Sequence, residues 1–238
     1  MPYEAVIFDV FGTLVDYLSD GEHARAFEAM ARALGVPTLP FREAWQQCIY
    51  GRDTGTYGSV EDDIRHACAL LEAYPTQEQV GRALNIRLDI YRRQLAPRDG
   101  ALPLLTELKQ RGLRTAVISN SAGELPLLWP ETPFTALIDA PLFSVDVGVL
   151  KPDPHIYQVA CARLGVAPTR CLYVGDGSSH ELTGALEVGM SAVLICVPYE
   201  YEQVMQREDA RAWQGSVITH LAELFDHFDE QPAQTYEL

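Results

Sequence analysis

Four short apolar runs punctuate the chain: "EAVIF" (4–8), "RTAVIS" (114–119), "CLYVG" (171–175) and "SAVLICV" (191–197). Each is rich in β-branched residues and has the length of a strand buried on both faces. Helical patterns separate the later runs. "LPLLTELKQRG" (102–112) and "HIYQVACARLG" (155–165) place apolar residues at helical spacing and close on Gly112 and Gly165, a C-cap signal. "ELTGALEVGM" (181–190) fills the next interval. Strand and helix alternating over residues 100–197 implies βαβ units and a parallel sheet. The expected class is therefore α/β, with a Rossmann-like parallel sheet as its core.

The first run stands apart from this series. Between it and the second lies a stretch with no strand candidate and four helical patterns: 22–35, 41–51, 60–74 and 76–95, divided by turn signals such as "GRDTGTYGS". We read residues 16–95 as an inserted all-helical domain and residues 1–15 with 96–230 as the α/β core. The other reading of the helical block is padding against one sheet face. The polar tail 231–238 is expected to fray. Trp129 in "LPLLWP" (125–130) is expected to anchor a loop in the interior.

The charge balance narrows the possible partners. Acids number 33 against 18 Lys and Arg, a formal net charge of −15. A field of that sign repels nucleic-acid backbones and anionic membrane surfaces, so neither is an expected partner. A small anionic metabolite remains possible where a local cation compensates. The five cysteines are scattered, odd in number and without a CxxC pair, which fits reduced thiols in a cytoplasmic protein. No leader pattern and no membrane-spanning run is present in the sequence. A monomer or a homodimer is expected.

Ligands of an open parallel sheet bind beyond the carboxyl ends of its strands. Asp9 follows the first run, Ser119 and Asn120 close the second, and Asp176 follows the third. Lys151 opens "KPDP" (151–154), ahead of a helix. Singly, each has an ordinary reading: Asp9 as a helix N-cap, Ser119-Asn120 and "GDG" (175–177) as turns, "KPDP" as an extended helix entry. Together, at successive strand boundaries, they describe a site. No GxGxxG or P-loop spacing supports a nucleotide fold of the usual sort.

These four groups, in order, resemble the motifs of the haloacid dehalogenase (HAD) superfamily of aspartate-nucleophile hydrolases: "FDVFGTL" (8–14), "ISNS" (118–121), "KPDP" and "VGDGSSHE" (174–181). The resemblance implies a HAD fold with residues 16–95 as its inserted cap. It implies Asp9 as nucleophile and Mg²⁺ held by Asp9, the Phe11 carbonyl and Asp176, with Glu181 as a further acid at the metal or a first-turn helix acid. It also implies Ser119 and the Asn120 backbone as donors to the transferring group, Lys151 as its cation and Thr13 as a brace of the first loop. A phosphatase of this family usually has a second aspartate where this chain has Phe11, so the general acid–base group is missing there. An aromatic at that position resembles the family's metal-free 2-haloacid dehalogenases, whereas Asp176 resembles its Mg²⁺-dependent phosphatases. A phosphonatase would use a cap lysine, and residues 16–95 contain none. The reading adopted is a Mg²⁺-dependent phosphatase of a small phosphorylated metabolite. The alternatives are a 2-haloacid dehalogenase and a phospho-ligand-binding protein of low turnover. Arg42 and Arg52 are the candidates in the helical block for an anionic substrate tail, against a default of solvated helix charges.

Overall fold

A computed structural model describes residues 3–229. Six strands, β1 (Ala5–Phe8), β2 (Arg114–Ser119), β3 (Ala140–Phe143), β4 (Cys171–Gly175), β5 (Ser191–Ile195) and β6 (Val217–Ile218), form one sheet in the order β3-β2-β1-β4-β5-β6. Every pairing is parallel. β1 lies between β2 and β4, with Phe8 level with Val117 on one side and Val174 on the other. The chain builds outward from β1 to β3, then restarts at β4 on the other side of β1. Loops diverge at such a reversal and leave a crevice at the carboxyl edge. Asp9 and Asp176 directly follow the two strands that border it.

The four strands expected from the apolar runs are present, and β3 and β6 are additions. β3 carries Pro141 and sits at the sheet edge, the position where a strand tolerates proline. β6 has two residues, too few to show a period.

Helices α1 (Asp20–Leu34), α2 (Thr38–Gln47), α3 (Ile49–Asp53), α4 (Val60–Ala69) and α5 (Gln77–Gln94) follow β1. α6 (Ala101–Gln110) leads into β2, α7 (Glu124–Leu128) and α8 (Ser144–Val147) follow β2 and β3, and α9 (Pro154–Leu164) precedes β4. α10 (Glu181–Glu187) joins β4 to β5, and α11 (Tyr201–Val204) and α12 (Glu208–Ala212) precede β6. Gly112 and Gly165 both adopt positive φ at the helix ends where they were expected. The pattern over 41–51 resolves into α2 and α3, divided at Cys48.

Side chains alternate across the sheet with the period of a strand. Val6, Phe8, Val117 and Val174 pack with Leu104, Leu105 and Leu108 of α6 on one face. Ala5, Ile7, Ala116 and Tyr173 pack with Ile156, Tyr157 and Leu164 of α9 on the other. Trp129 is buried, stacked on Phe134, and all five cysteines are free and buried. Helices α1, α2, α4 and α5 bury their apolar stripes mainly against one another, forming a third cluster around Met30, Phe41, Trp45, Ile64 and Val80. Capping boxes at Ser19/Glu22, Ser59/Asp62 and Thr76/Gln79 start three of these helices.

Two segments carry the chain between the sheet and this helical block, and they lie side by side. Val15 forms an antiparallel bridge with Pro97, and the Arg98 N–H donates to Leu14 O at 2.9 Å. The buried Arg98 guanidinium donates to Asp16 Oδ1 at 2.6 Å and to Gly12 O at 2.8 Å, and pairs with Glu200. Residues 230–238, including the tail expected to fray, lie outside the described residues.

Candidate active site

The carboxyl edge of the sheet opens into a cavity of about 1110 Å³ between the sheet and the helical block. Asp9, Ser119, Asn120 and Lys151 line it, while Asp176 and Glu181 are fully buried and do not. Asp9 is buried, and Lys151 Nζ donates to its Oδ1 at 2.5 Å. The same ammonium donates to Glu181 Oε2 at 2.5 Å and to Tyr173 OH at 3.3 Å. The Tyr173 hydroxyl donates in turn to Glu181 Oε2 at 2.8 Å, and the Gly177 N–H donates to Oε1 at 3.1 Å. Glu181 is the first residue of α10, reached through Ser179 and His180 at φ 54° and 52°. Two consecutive non-glycine residues in the left-handed region are uncommon and mark a constrained turn. Gly175, at the tip of β4, leaves no room for a side chain: a Cβ there would run into the Glu181 carboxylate.

One oxygen each of Asp9, Asp176 and Glu181 lie within 4.8 Å of one another, all from buried residues. Burial and mutual repulsion act on this trio. Burial and the Asp176 charge hold Asp9 above the usual carboxylate range against the opposing pull of Lys151. Burial, with the Asp9 and Asp176 charges, pushes Glu181 up to about 8. Burial alone would lower Lys151, but the carboxylates of Asp9 and Glu181 outweigh it and hold the ammonium charged.

Asp176 is engaged differently. Arg207, at the start of α12, meets its Oδ2 at 2.5 Å, and the Tyr17 hydroxyl lies 2.6 Å from the same oxygen. Tyr17 OH is also 2.8 Å from the Phe11 carbonyl. Gly12 makes this approach possible. It adopts φ 80°, and a Cβ there would collide with the Asp176 carboxylate and the Tyr17 ring.

Thr13 Oγ1 is 3.4 Å from Asp9 Oδ2 and is fully buried. Ser119 Oγ is buried beside the cavity and has no hydrogen-bond partner among the described residues. A buried hydroxyl without a partner is costly unless something else uses it. Asn120 grips Lys151 by its backbone: Oδ1 accepts from Lys151 N at 2.7 Å, and Nδ2 donates to Lys151 O at 3.2 Å. The sequence reading assigned only its backbone N–H, because this contact joins loops 31 residues apart.

Of the two arginine candidates, Arg42 is exposed at the cavity lining, whereas Arg52 is buried there. The Arg52 guanidinium lies 3.9 Å from the Trp45 ring centroid, its Nη1 donates to Trp45 O at 3.4 Å, and its Nε has no partner among the described residues. Among the described residues no carboxylate oxygen pairs with Arg52 within 4.0 Å. Nearby Arg87 also lines the cavity, with its Nε paired to Glu124 at 2.7 Å and its guanidinium over the Tyr91 ring. The Phe11 ring packs edge-on against Tyr91 at 6.0 Å and has no group to give or take a proton. Tyr17, Tyr173, Arg87 and Arg207 are absent from the sequence reading. None of them falls within the four strand-tip groups, and only the fold brings them there.

This donor set suits a hard divalent cation. Three carboxylates and a backbone carbonyl offer only oxygen, the preference of Mg²⁺. The Phe11 carbonyl and Asp176 Oδ2 are close enough for one hydroxyl to reach both.

A family model described as a haloacid dehalogenase-like hydrolase matches residues 3–189. The chain is 29% identical over 205 residues to (S)-2-haloacid dehalogenase 4A of Burkholderia cepacia, covering 83% of this chain and 86% of that protein. It is equally 29% identical over 208 residues to a phosphoglycolate phosphatase of Caulobacter vibrioides, covering 84% and 81%. It shares the fold of a HAD phosphatase from Thermococcus onnurineus, with a TM-score of 0.65 and 24% identity over 95% of this chain and 98% of that one. The four strand-tip groups meet in one cavity and the family model spans well over half of the 238 residues: the chain belongs to the haloacid dehalogenase-like hydrolases.

Proposed function

We propose that this hydrolase is a Mg²⁺-dependent phosphatase of a small phosphorylated metabolite, acting through an aspartyl phosphate on Asp9. The observation that carries the reading is the convergence of Asp9, Asp176 and Glu181, three carboxylates of which one would serve a metal-free attack on carbon. Three charged carboxylates would outnumber the two cations on them, Lys151 and Arg207, which leaves a place for further positive charge.

In this reading Asp9 attacks phosphorus and the alcohol leaves, so one hard displacement becomes two easier ones. Water then cleaves the acyl phosphate and restores Asp9. Lys151 screens the approach of two anions, held in place by Asn120 and Tyr173. The free Ser119 hydroxyl is available to a phosphoryl oxygen. Mg²⁺, held by Asp9, Asp176, the Phe11 carbonyl and Glu181, would offset the charge that builds on the transferring group. Thr13 steadies the Asp9 loop. Residues 16–95 act as the cap over the core formed by 1–15 and 96–230, and they exclude water when closed. Arg52, buried and without a carboxylate partner among the described residues, receives a second anionic group of the substrate, with Arg42 at the rim. Phe11 leaves the departing alcohol unprotonated from that side, so good leaving groups are favoured.

A second reading rests on Phe11 itself. Halide needs no proton on leaving, and one relative named above is a 2-haloacid dehalogenase. The two are separated by assaying phosphate release from an aryl phosphate, with Mg²⁺ and with chelator, beside halide release from a 2-haloacid. The phosphatase reading expects Mg²⁺-dependent phosphate release that chelator abolishes. Chelator-resistant halide release without phosphate turnover would replace it, and silence in both assays would point to a phospho-ligand-binding protein.

A further inference from the structure

Asp9, Asp176 and Glu181 bring three potential negative charges to the site, and Lys151 and Arg207 bring two positive ones. The protein's own groups are therefore already placed on most of the oxygens that would ligate an ion. At one point the placement is specific. The Tyr17 hydroxyl sits between Phe11 O, at 2.8 Å, and Asp176 Oδ2, at 2.6 Å, which are two of the oxygens assigned above to Mg²⁺. A phenol has one proton for these two acceptors. Arg207 backs the arrangement, meeting Asp176 Oδ2 at 2.5 Å and Asp176 O at 2.9 Å, with its guanidinium 5.1 Å from the Tyr17 ring centroid. Gly12 is open enough to admit both the ring and the carboxylate. The Tyr17 backbone is also pinned, its N–H donating to Glu200 Oε1 at 3.0 Å.

We propose that Tyr17, supported by Arg207, is an internal competitor for the divalent ion: its hydroxyl satisfies the Phe11 carbonyl and Asp176, and the ion binds only as Tyr17 withdraws. The inference rests on the Mg²⁺-dependent reading. Tyr17 lies on the segment that leads from the sheet into the helical block, and with its backbone held by Glu200 the hydroxyl withdraws by side-chain rotation.

The test measures affinity rather than turnover. Mn²⁺, a paramagnetic stand-in for Mg²⁺, is titrated into the 238-residue protein, and free Mn²⁺ is read by electron paramagnetic resonance. Tyr17→Phe keeps the ring and the net charge and removes only the hydroxyl. A hydrogen bond to a charged group has a net strength corresponding to roughly tenfold to a hundredfold in affinity, so the variant should bind Mn²⁺ tighter by about that factor. Arg207→Gln, which frees Asp176 from its cation, should also bind tighter. Unchanged or weaker binding by a folded Tyr17→Phe, with near-ultraviolet circular dichroism like that of the parent, overturns the proposal and leaves the Mg²⁺ reading standing. If Tyr17→Phe does not fold, Tyr17→Leu, which also removes the hydroxyl and keeps Arg207, decides by the same criterion. Absence of millimolar Mn²⁺ binding in the parent and the variants overturns the proposal and the Mg²⁺ reading together.

Discussion

Phe11 combines two roles that its sequence position separates. Its carbonyl lies by the oxygen cluster, while its ring lines the cavity against Tyr91. The missing carboxylate at this position sets an expectation for turnover. General acid–base help is typically worth about 10²–10⁴-fold. Phe11→Asp should raise turnover of alkyl phosphates within that range and change aryl phosphates little, since their leaving groups need no proton. Steady-state rates on the two substrate types test this, and no gain on alkyl phosphates would show that protonation does not limit the parent. Asp9 and Asp176 were legible as strand-tip acids because each ends an apolar run. Tyr17 and Arg207 were not legible: a tyrosine after "TLVD" and an arginine between two short helices have many ordinary uses.

The elements that matter most to the site are the two adjoining segments at residues 12–17 and 97–98. Arg98 ties them, through Gly12 O and Asp16, to Glu200 beyond β5. Arg98 and Glu200 are both buried, so removing one partner strands the other charge. Arg98→Met should lower the unfolding free energy by about 3–5 kcal/mol, measured by urea denaturation, the range for a broken buried pair. A loss under about 1 kcal/mol would place the pair among surface-like bridges. In the sequence Arg98 reads as one more loop charge after "LAP". Its partners lie 82 and 102 residues away, beyond the reach of any local pattern.

Taken as a whole, the molecule is acidic yet carries buried arginines on the wall of its cavity. Arg87 is neutralised by Glu124, and Arg52 lacks such a partner among the described residues. Asp53 and Asp63 feel the Arg52 charge, but burial pushes them up to about 6 and about 7, so near neutral pH Asp63 is only partly ionised while Asp53 stays mostly charged. A substrate with a second negative group would complete the site. Arg52→Ala should then raise KM at least tenfold for phosphorylated carboxylic acids and leave KM for a simple aryl phosphate nearly unchanged. Equal effects on both substrates would assign Arg52 to packing against Trp45 instead.

From the sequence alone followed the parallel α/β class, the helical stretch after the first strand, and the strand-tip residues Asp9, Ser119 and Asp176 with Lys151. All are local properties, since period, run length and the residue ending each run can be read within a few positions. Only the folded chain decided which oxygens share one point, that Glu181 turns back onto Lys151, that Arg52 is buried while Arg42 is exposed, and that Tyr17 and Arg207 engage Asp176. Those contacts join residues far apart in sequence. They depend on sheet order and on how the helical block lies over the sheet, which side-chain periodicity does not encode.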